Sequence, residues 1–246
     1  MTEHVQIAKP VVDLLRTPDG PRERQLLLGD TCDVLARDGG WIKVRATKDG
    51  YVGFVRRDTI AEVQEITHRI KTLATHAYTD ANMKSPDLMS LSLGSLITAR
   101  RETGTFVETE FGYIPKQHLT TVDSLESDPL AVAEIFLGTP YLWGGNSRLG
   151  LDCSGLVQAG LLACGIPCPG DSGDQERTVG QSLPAGALPQ RGDLLFWKGH
   201  VAWVYDERTL LHANAHHMSV RFELLEPTIA RIKAQGDGPV TSHKRL

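Results

Sequence analysis

The chain has 246 residues, 41% of them hydrophobic and 23% charged, the profile of an ordinary globular protein with room for two or three small domains. Its net charge of -4 leaves no basic excess for nucleic acid or a membrane surface. No apolar run approaches the roughly 20 residues of a membrane span. The first ten residues, Met1 to Pro10, lack the basic and apolar blocks of a secretory leader, which predicts a cytoplasmic protein. Four cysteines (Cys32, Cys153, Cys164 and Cys168) fit a reducing compartment. They form no paired C-x-x-C set, so neither a metal site nor a cofactor is expected. Nothing in the sequence sets the oligomeric state.

Residues 1–65 are β-rich by pattern. Runs at Gln25–Asp30, Cys32–Leu35, Trp41–Arg45 and Tyr51–Val55 are separated by Asp38-Gly39-Gly40 and Asp49-Gly50. Asp-Gly between alternating strands is a strong hairpin signal, and short strands joined by tight turns predict a small barrel. Residues 66–124 repeat the plan. Leu28-Gly29-Asp30 is echoed by Leu93-Gly94-Ser95, and the Gly50 to Val55 strand by Gly112-Tyr113-Ile114-Pro115. Both units resemble bacterial SH3 domains, with Phe106 standing in the second where Trp41 stands in the first.

A polar stretch, Thr121–Asp128, leads into residues 125–246. Asp128 and Pro129 read as N-cap and first turn of a helix reaching Leu137, ended by Gly138. A Gly- and aromatic-rich approach, Gly138–Asn146, precedes Asp152-Cys153-Ser154-Gly155 and an apolar stretch with helical spacing, Leu156–Leu162. Three strand-like runs follow at Asp193–Trp197, His200–Tyr205 and Thr209–Ala213, so the segment is α+β. The tail, Pro239–Leu246, reads as frayed.

Cys153 falls at the start of a buried helix. The helix dipole and a nearby imidazolium both favour a thiolate there, and the thiolate is the nucleophilic form. The surrounding glycines allow a tight backbone whose N–H groups face a developing oxyanion. His200 opens a strand and is the candidate base. His212, on the next strand, is placed to orient it across the pair. His216 and His217 follow closely enough to compete for that third place. A thiolate–imidazolium couple predicts a bell-shaped rate profile.

Residues 130–225 resemble the NlpC-type cell-wall peptidases, a papain-like cysteine peptidase family. The matching motifs, in the family's order, are Tyr141–Gly145, Asp152–Gly155, Gly192–Phe196, Gly199-His200-Val201 and Leu211-His212-Ala213. The resemblance implies two small all-β SH3-like barrels followed by an α+β papain-like cysteine peptidase domain. It makes Cys153 the nucleophile, His200 the general base and His212 the orienting residue. Members cleave peptide stems of peptidoglycan. The two leading domains point to the subgroup that hydrolyses the γ-D-glutamyl-diamino acid bond of murein-derived peptides with an N-terminal L-Ala, in cell-wall recycling. The diamino acid is left open between diaminopimelate and Lys. The subgroup binds the substrate's α-amino group with an acid after the catalytic helix, here Asp171 with Asp174 as rival, and Ser154 as a second contact. It closes its cleft with residues matching Asp30 and Tyr51 of the first domain. The family more often has Glu at the first of these.

Two other classes of function fit the same residues. One is a peptidoglycan or peptide binding module with an inactive peptidase, against which the joint retention of Cys153, His200 and His212 argues. The other is an amidase or acyltransferase of the same fold, because one triad can pass an acyl group to water or to an amine.

Overall fold

The structure is a computed structural model that describes residues 2–246. The chain forms two compact units, Met1–Leu125 and Glu126–Leu246.

The first unit is built from strands. One seven-stranded antiparallel sheet runs in the order Arg22–Leu27, Val11–Leu15, Val52–Arg56, Trp41–Ala46, Thr31–Asp38, His4–Ile7 and Ile60–Ala61. Alternation sets its core: Ile42, Val44 and Ala46 point inward, while Trp41, Lys43 and Arg45 point outward. The Asp-Gly turns fall where the pattern puts them, with Gly39 at φ +56° and Gly50 at φ +75°. Two strands at the start, His4–Ile7 and Val11–Leu15, extend the sheet beyond the runs legible in the sequence. A five-stranded and a three-stranded sheet follow. They enclose a separate core of Leu28, Ile70, Ala77, Leu91, Ile97, Val107, Ile114 and Leu119.

The second unit carries four helices and a six-stranded antiparallel sheet. Helix α1 is Pro129–Glu134, α2 is Cys153–Ala163, α3 is Ser172–Thr178 and α4 is Leu225–Ala234. Asp128 caps α1 as expected, its Oδ1 accepting from Leu130 N at 2.9 Å and Ala131 N at 3.2 Å. The helix is shorter than its apolar pattern. From Ile135 to Leu137 the backbone tightens into i→i−3 bonds, and Gly138 at φ +84° ends the segment. The sheet order is Gln181–Ser182, Ser242–Arg245, Leu194–Trp197, His200–Asp206, Thr209–Asn214 and Ser219–Leu224. Helix α2 lies against the His200–Asp206 and Thr209–Asn214 strands. Leu225 and Ile232 of α4 pack with Leu195, Trp197, Ala202, Val204 and Leu210 of the sheet.

The tail is not frayed. Ser242–Arg245 is a strand paired with both Leu194–Trp197 and Gln181–Ser182. The anchor is Asp193, 1% exposed, which accepts from Arg245 Nε (2.7 Å) and Nη2 (2.8 Å), from His243 Nε2 (2.7 Å) and from Gln190 N (2.9 Å). A polar tail looks disposable in sequence because its partner is fifty residues away. Here a buried carboxylate requires it.

Candidate active site

The Cys153 end is organised by Asp152. As N-cap of α2 it accepts from Gly155 N at 2.7 Å, and Ser154 Oγ donates to the same Oδ1 at 3.0 Å. Its second oxygen accepts from Gly144 N at 2.9 Å. One carboxylate thus ties the Gly-rich approach to the first turn of α2. The glycines are needed for close approach as much as for turning. A Cβ on Gly145 would meet Gly150 O at 2.5 Å, and one on Gly155 would meet Gly145 O at 2.7 Å. Cys153, first residue of α2, is 6% exposed. Burial, with Cys153 and Asp152 nearby, raises the Tyr141 phenol above its ordinary pKa, so Tyr141 presents a protonated hydroxyl beside the thiol.

The histidine end is organised by sheet register. Leu210 pairs with Glu223, and His212 lies two residues along from Leu210, so His212 and Glu223 share a face. His200 pairs with Trp197, whose side chain packs in the cluster holding Leu210. Three strands therefore bring His200, His212 and Glu223 to one side, where α4 adds Arg231. His200 Nε2 is 2.8 Å from His212 Nδ1, and His212 Nε2 is 2.8 Å from Glu223 Oε2. Arg231 Nη2 donates to that same oxygen at 2.8 Å, and His217 Nε2 is 3.3 Å from Oε1.

Burial, then the neighbouring His212, pushes the His200 imidazole down to about 3. Burial also lowers His212, against the raising influence of Glu223. For Glu223 burial acts upward, but the hydrogen bond from His212 and the Arg231 charge override it and hold the carboxylate at about 2. Desolvation of the charged ring thus outweighs the attraction of a carboxylate one residue further away and favours the neutral form of His200.

His212 is the histidine that reaches His200. His216 stacks edge-on with His217. Sequence reasoning missed Glu223 and Arg231, because both sit in a strand and a helix it did not foresee. The apolar stripe Leu225, Ile229 and Ile232 was the available signal for that helix. It also missed Gln175, fully buried on α3, whose Nε2 donates to Ser154 O and Pro169 O, both at 2.9 Å. This amide ties the Asp171 segment to the first turn of α2. Asp171 is exposed and is the N-cap residue of α3, its backbone oxygen accepting from Asp174 N and Gln175 N. Asp174 is ion-paired with Arg177. In the first unit, Asp30 is 7% exposed and its Oδ2 accepts from Leu27 N at 2.9 Å and Lys48 Nζ at 2.6 Å. Tyr51 packs half-buried against the core of that unit.

Residues 138–231 match the NlpC/P60 family, and residues 14–60 match the bacterial dipeptidyl-peptidase SH3 domain. A gamma-D-glutamyl-L-lysine dipeptidyl-peptidase of Bacillus subtilis (strain 168) is 30% identical over 236 residues, covering 86% of this chain and 78% of the relative. The chain belongs to the NlpC/P60 family of cysteine peptidases. A second NlpC/P60 relative, the gamma-D-glutamyl-L-lysine dipeptidyl-peptidase of Bacillus cereus (strain ATCC 10987 / NRS 248), is 28% identical over 239 residues, 80% of this chain and 69% of its own. The fold is shared with the crystal structure of an NlpC/P60 family protein from Bacillus cereus ATCC 10987, at a TM-score of 0.82 and 21% identity, covering 99% of both chains. This NlpC/P60 protein thus joins an SH3 domain to a peptidase domain and is mostly β with some helices.

Proposed function

We propose that this NlpC/P60 protein hydrolyses the γ-D-glutamyl bond to a diamino acid, Lys or diaminopimelate, in murein-derived peptides with an N-terminal L-Ala. The observation that carries the reading is the His200–His212 hydrogen bond, in a chain that sets Cys153 at the start of α2 and whose relatives over most of its length are named gamma-D-glutamyl-L-lysine dipeptidyl-peptidases. In this reading Cys153 Sγ attacks the γ-carbonyl carbon while its proton passes to His200. His200 then gives that proton to the departing amine of the diamino acid, leaving a thioester. Water attacks the thioester, His200 takes the water's proton and returns it to sulfur, and L-Ala-D-Glu leaves. In this reading the protonated Tyr141 hydroxyl and the backbone N–H of Cys153, at the start of α2, are the donors to a developing oxyanion.

Asp171 and Ser154 receive the substrate's ammonium. Asp171, the N-cap residue of α3, is the position that the family resemblance assigns to this role, and Asp174 is ion-paired with Arg177. Ser154 Oγ is held by its donation to Asp152 Oδ1 at 3.0 Å, one residue along α2 from Cys153. A carboxylate set to meet a charged amine rejects a capped peptide, because acylation removes the charge and leaves the acid without its partner.

We read 1–65 and 66–124 as two SH3-like barrels ahead of a peptidase domain at 125–246. In support, Gly29 and Gly94 take the same left-handed conformation at φ +85° and +88°, and short 3-10 turns, Arg57–Thr59 and Lys116–His118, follow the corresponding strands. No helix among the described residues is long and apolar enough to cross a membrane. Selection for uncapped peptides suits recycling of wall fragments in the cytoplasm.

The test is incubation with L-Ala-γ-D-Glu-L-Lys and L-Ala-γ-D-Glu-diaminopimelate, each with and without an N-acetylmuramyl cap. Release of L-Ala-D-Glu from the uncapped peptides alone, abolished by Cys153→Ala, is the expected result. Equal cleavage of capped and uncapped peptides refutes amine recognition. Undiminished cleavage by Cys153→Ala refutes the nucleophile.

A further inference from the structure

The chain of polar groups behind His200 settles which nitrogen can act as the base. A neutral imidazole has one N–H and one lone pair. Glu223 Oε2 is 2.8 Å from His212 Nε2 and 2.8 Å from Arg231 Nη2. Guanidinium has donors only, and an ionised carboxylate accepts only. Glu223 Oε2 therefore accepts from both, and His212 Nε2 must carry its hydrogen. The lone pair of His212 then lies on Nδ1, 2.8 Å from His200 Nε2. His200 donates from Nε2 to that lone pair. Its own lone pair is left on Nδ1, the one ring nitrogen that can receive a proton from a thiol.

We propose that Glu223, braced by Arg231, is a positioning residue that fixes the tautomer of His212 and through it selects Nδ1 of His200 as the basic nitrogen. The proposal rests on the roles of Cys153 and His200 given above. Arg231 has a second duty here. A buried carboxylate with no cation beside it would draw a proton onto His212. The imidazolium so formed would donate from Nδ1 as well, and His200 would have to present its lone pair at Nε2 and its hydrogen at Nδ1. The base would then be occupied by hydrogen on the side where it is needed. The positive charge of Arg231 disfavours that state. The groups facing His212 are His200 from its neighbouring strand, Glu223 from the outer strand, Arg231 from α4, and His217, which approaches the other Glu223 oxygen at 3.3 Å. With His212 and Arg231 on one oxygen and His217 near the second, Glu223 meets three donors with one side chain.

The test uses the full chain labelled with 15N-histidine, together with steady-state kinetics on the uncapped tripeptide. Long-range 15N–1H correlations distinguish the two neutral tautomers directly. The wild type is expected to show His212 protonated on Nε2 and His200 protonated on Nε2. Glu223→Gln retains an acceptor oxygen, which Arg231 holds toward the imidazole, so it keeps this pattern and stays within about tenfold of wild-type kcat. Glu223→Leu removes the acceptor. A wrong tautomer in a catalytic triad costs up to about 10⁴-fold in kcat, and a loss of about a hundredfold or more at unchanged KM is expected, with His212 no longer fixed on Nε2. A loss confined to folding would not spare KM while changing the tautomer. If Glu223→Leu does not fold, the wild-type spectrum still decides: His212 protonated on Nδ1 overturns the proposal, as does a Glu223→Leu variant with wild-type kcat. The site reading fails separately, through an active Cys153→Ala, whatever the tautomer.

Discussion

Gly160 sets two physical rules against each other. It lies in the interior of α2, where replacing Gly by Ala ordinarily stabilises a helix by about 1 kcal/mol. At this position, however, a Cβ would lie 2.4 Å from the carbonyl oxygen of Pro129 and 3.2 Å from its carbonyl carbon. The obstacle is backbone at the first residue of α1, so no side chain can swing away. To restore even a 3.0 Å contact the two helices would have to separate by roughly 0.6 Å. They are joined through Leu130, Leu156, Val157 and Leu161, each at most 1% exposed, in an interior that deforms poorly. Overpacking of this kind costs about 1–3 kcal/mol, and a backbone clash belongs at the upper end. Clash therefore outweighs propensity, and Gly160→Ala is expected to be destabilising by about 2 kcal/mol. For a unit of this size that is a fall in Tm of roughly 8 °C. Differential scanning calorimetry of the full chain measures it. Any shift of α2 also moves Cys153, so kcat on the uncapped tripeptide should fall in the same variant. A Tm equal to or above wild type would show that α1 and α2 accommodate the methyl group and that the argument from close approach is wrong.

The buried His212 and the partly exposed His200 make stability acid-sensitive. Both His200 and His212 have folded pKa values below their ordinary 6.5, so the unfolded chain takes up protons that the folded chain refuses. Their contribution is complete above pH 6.5 and is lost as pH falls below it, by about 1.4 kcal/mol per pH unit for each ring, down to the folded value of about 3 for His200. Tm measured from pH 7.5 to 5 should fall steadily, and His200→Gln should flatten that slope; equal slopes in the two proteins would show that His200 is protonated in the fold. Asp193→Ala removes the acceptor for Arg245, His243 and the Gln190 amide. The amides of Ser242–Arg245 should lose protection in hydrogen exchange, and undiminished protection would show that strand pairing alone holds the tail.

Features carried by local sequence were the legible ones. Asp128-Pro129 announced a helix start, Asp38-Gly39-Gly40 a hairpin, and Cys153 before Leu156–Leu162 a buried helix, because caps, turns and periodicity are properties of neighbouring residues. His200 and His212 were legible as a pair because two consecutive strands joined by a tight turn pair with each other. Glu223 was not. Its approach to His212 depends on the register of a third strand against Thr209–Asn214, and nothing local fixes that register. Arg231 needed in addition the α4 helix, whose first turn reads Leu225-Glu226-Pro227 and conceals its apolar stripe. The C-terminal strand was lost for the same reason: the buried Asp193 and the partly exposed Arg245 that pairs with it are separated by most of the sheet's connections.

The site follows from this division. The proposed nucleophile is set in one contiguous stretch, Tyr141 to Gly155, in which Asp152 holds loop and helix together through Gly144, Ser154 and Gly155. The surroundings of the proposed base come from three strands and a helix, and no single stretch of sequence contains them. A contiguous frame fixes a thiol with a few glycines and one cap. A base must also be fixed in its protonation state, and that takes a sequence of donors and acceptors whose ends are decided. Arg231 supplies the end that cannot accept, and Glu223 the group that cannot donate. In the proposed arrangement burial favours the neutral, singly protonated form of His200 before substrate arrives. Because burial disfavours its charged form, the proposed reaction places proton transfer from Cys153 within the attack on the carbonyl, where the charge that develops on sulfur and then on oxygen would stabilise the imidazolium as it forms.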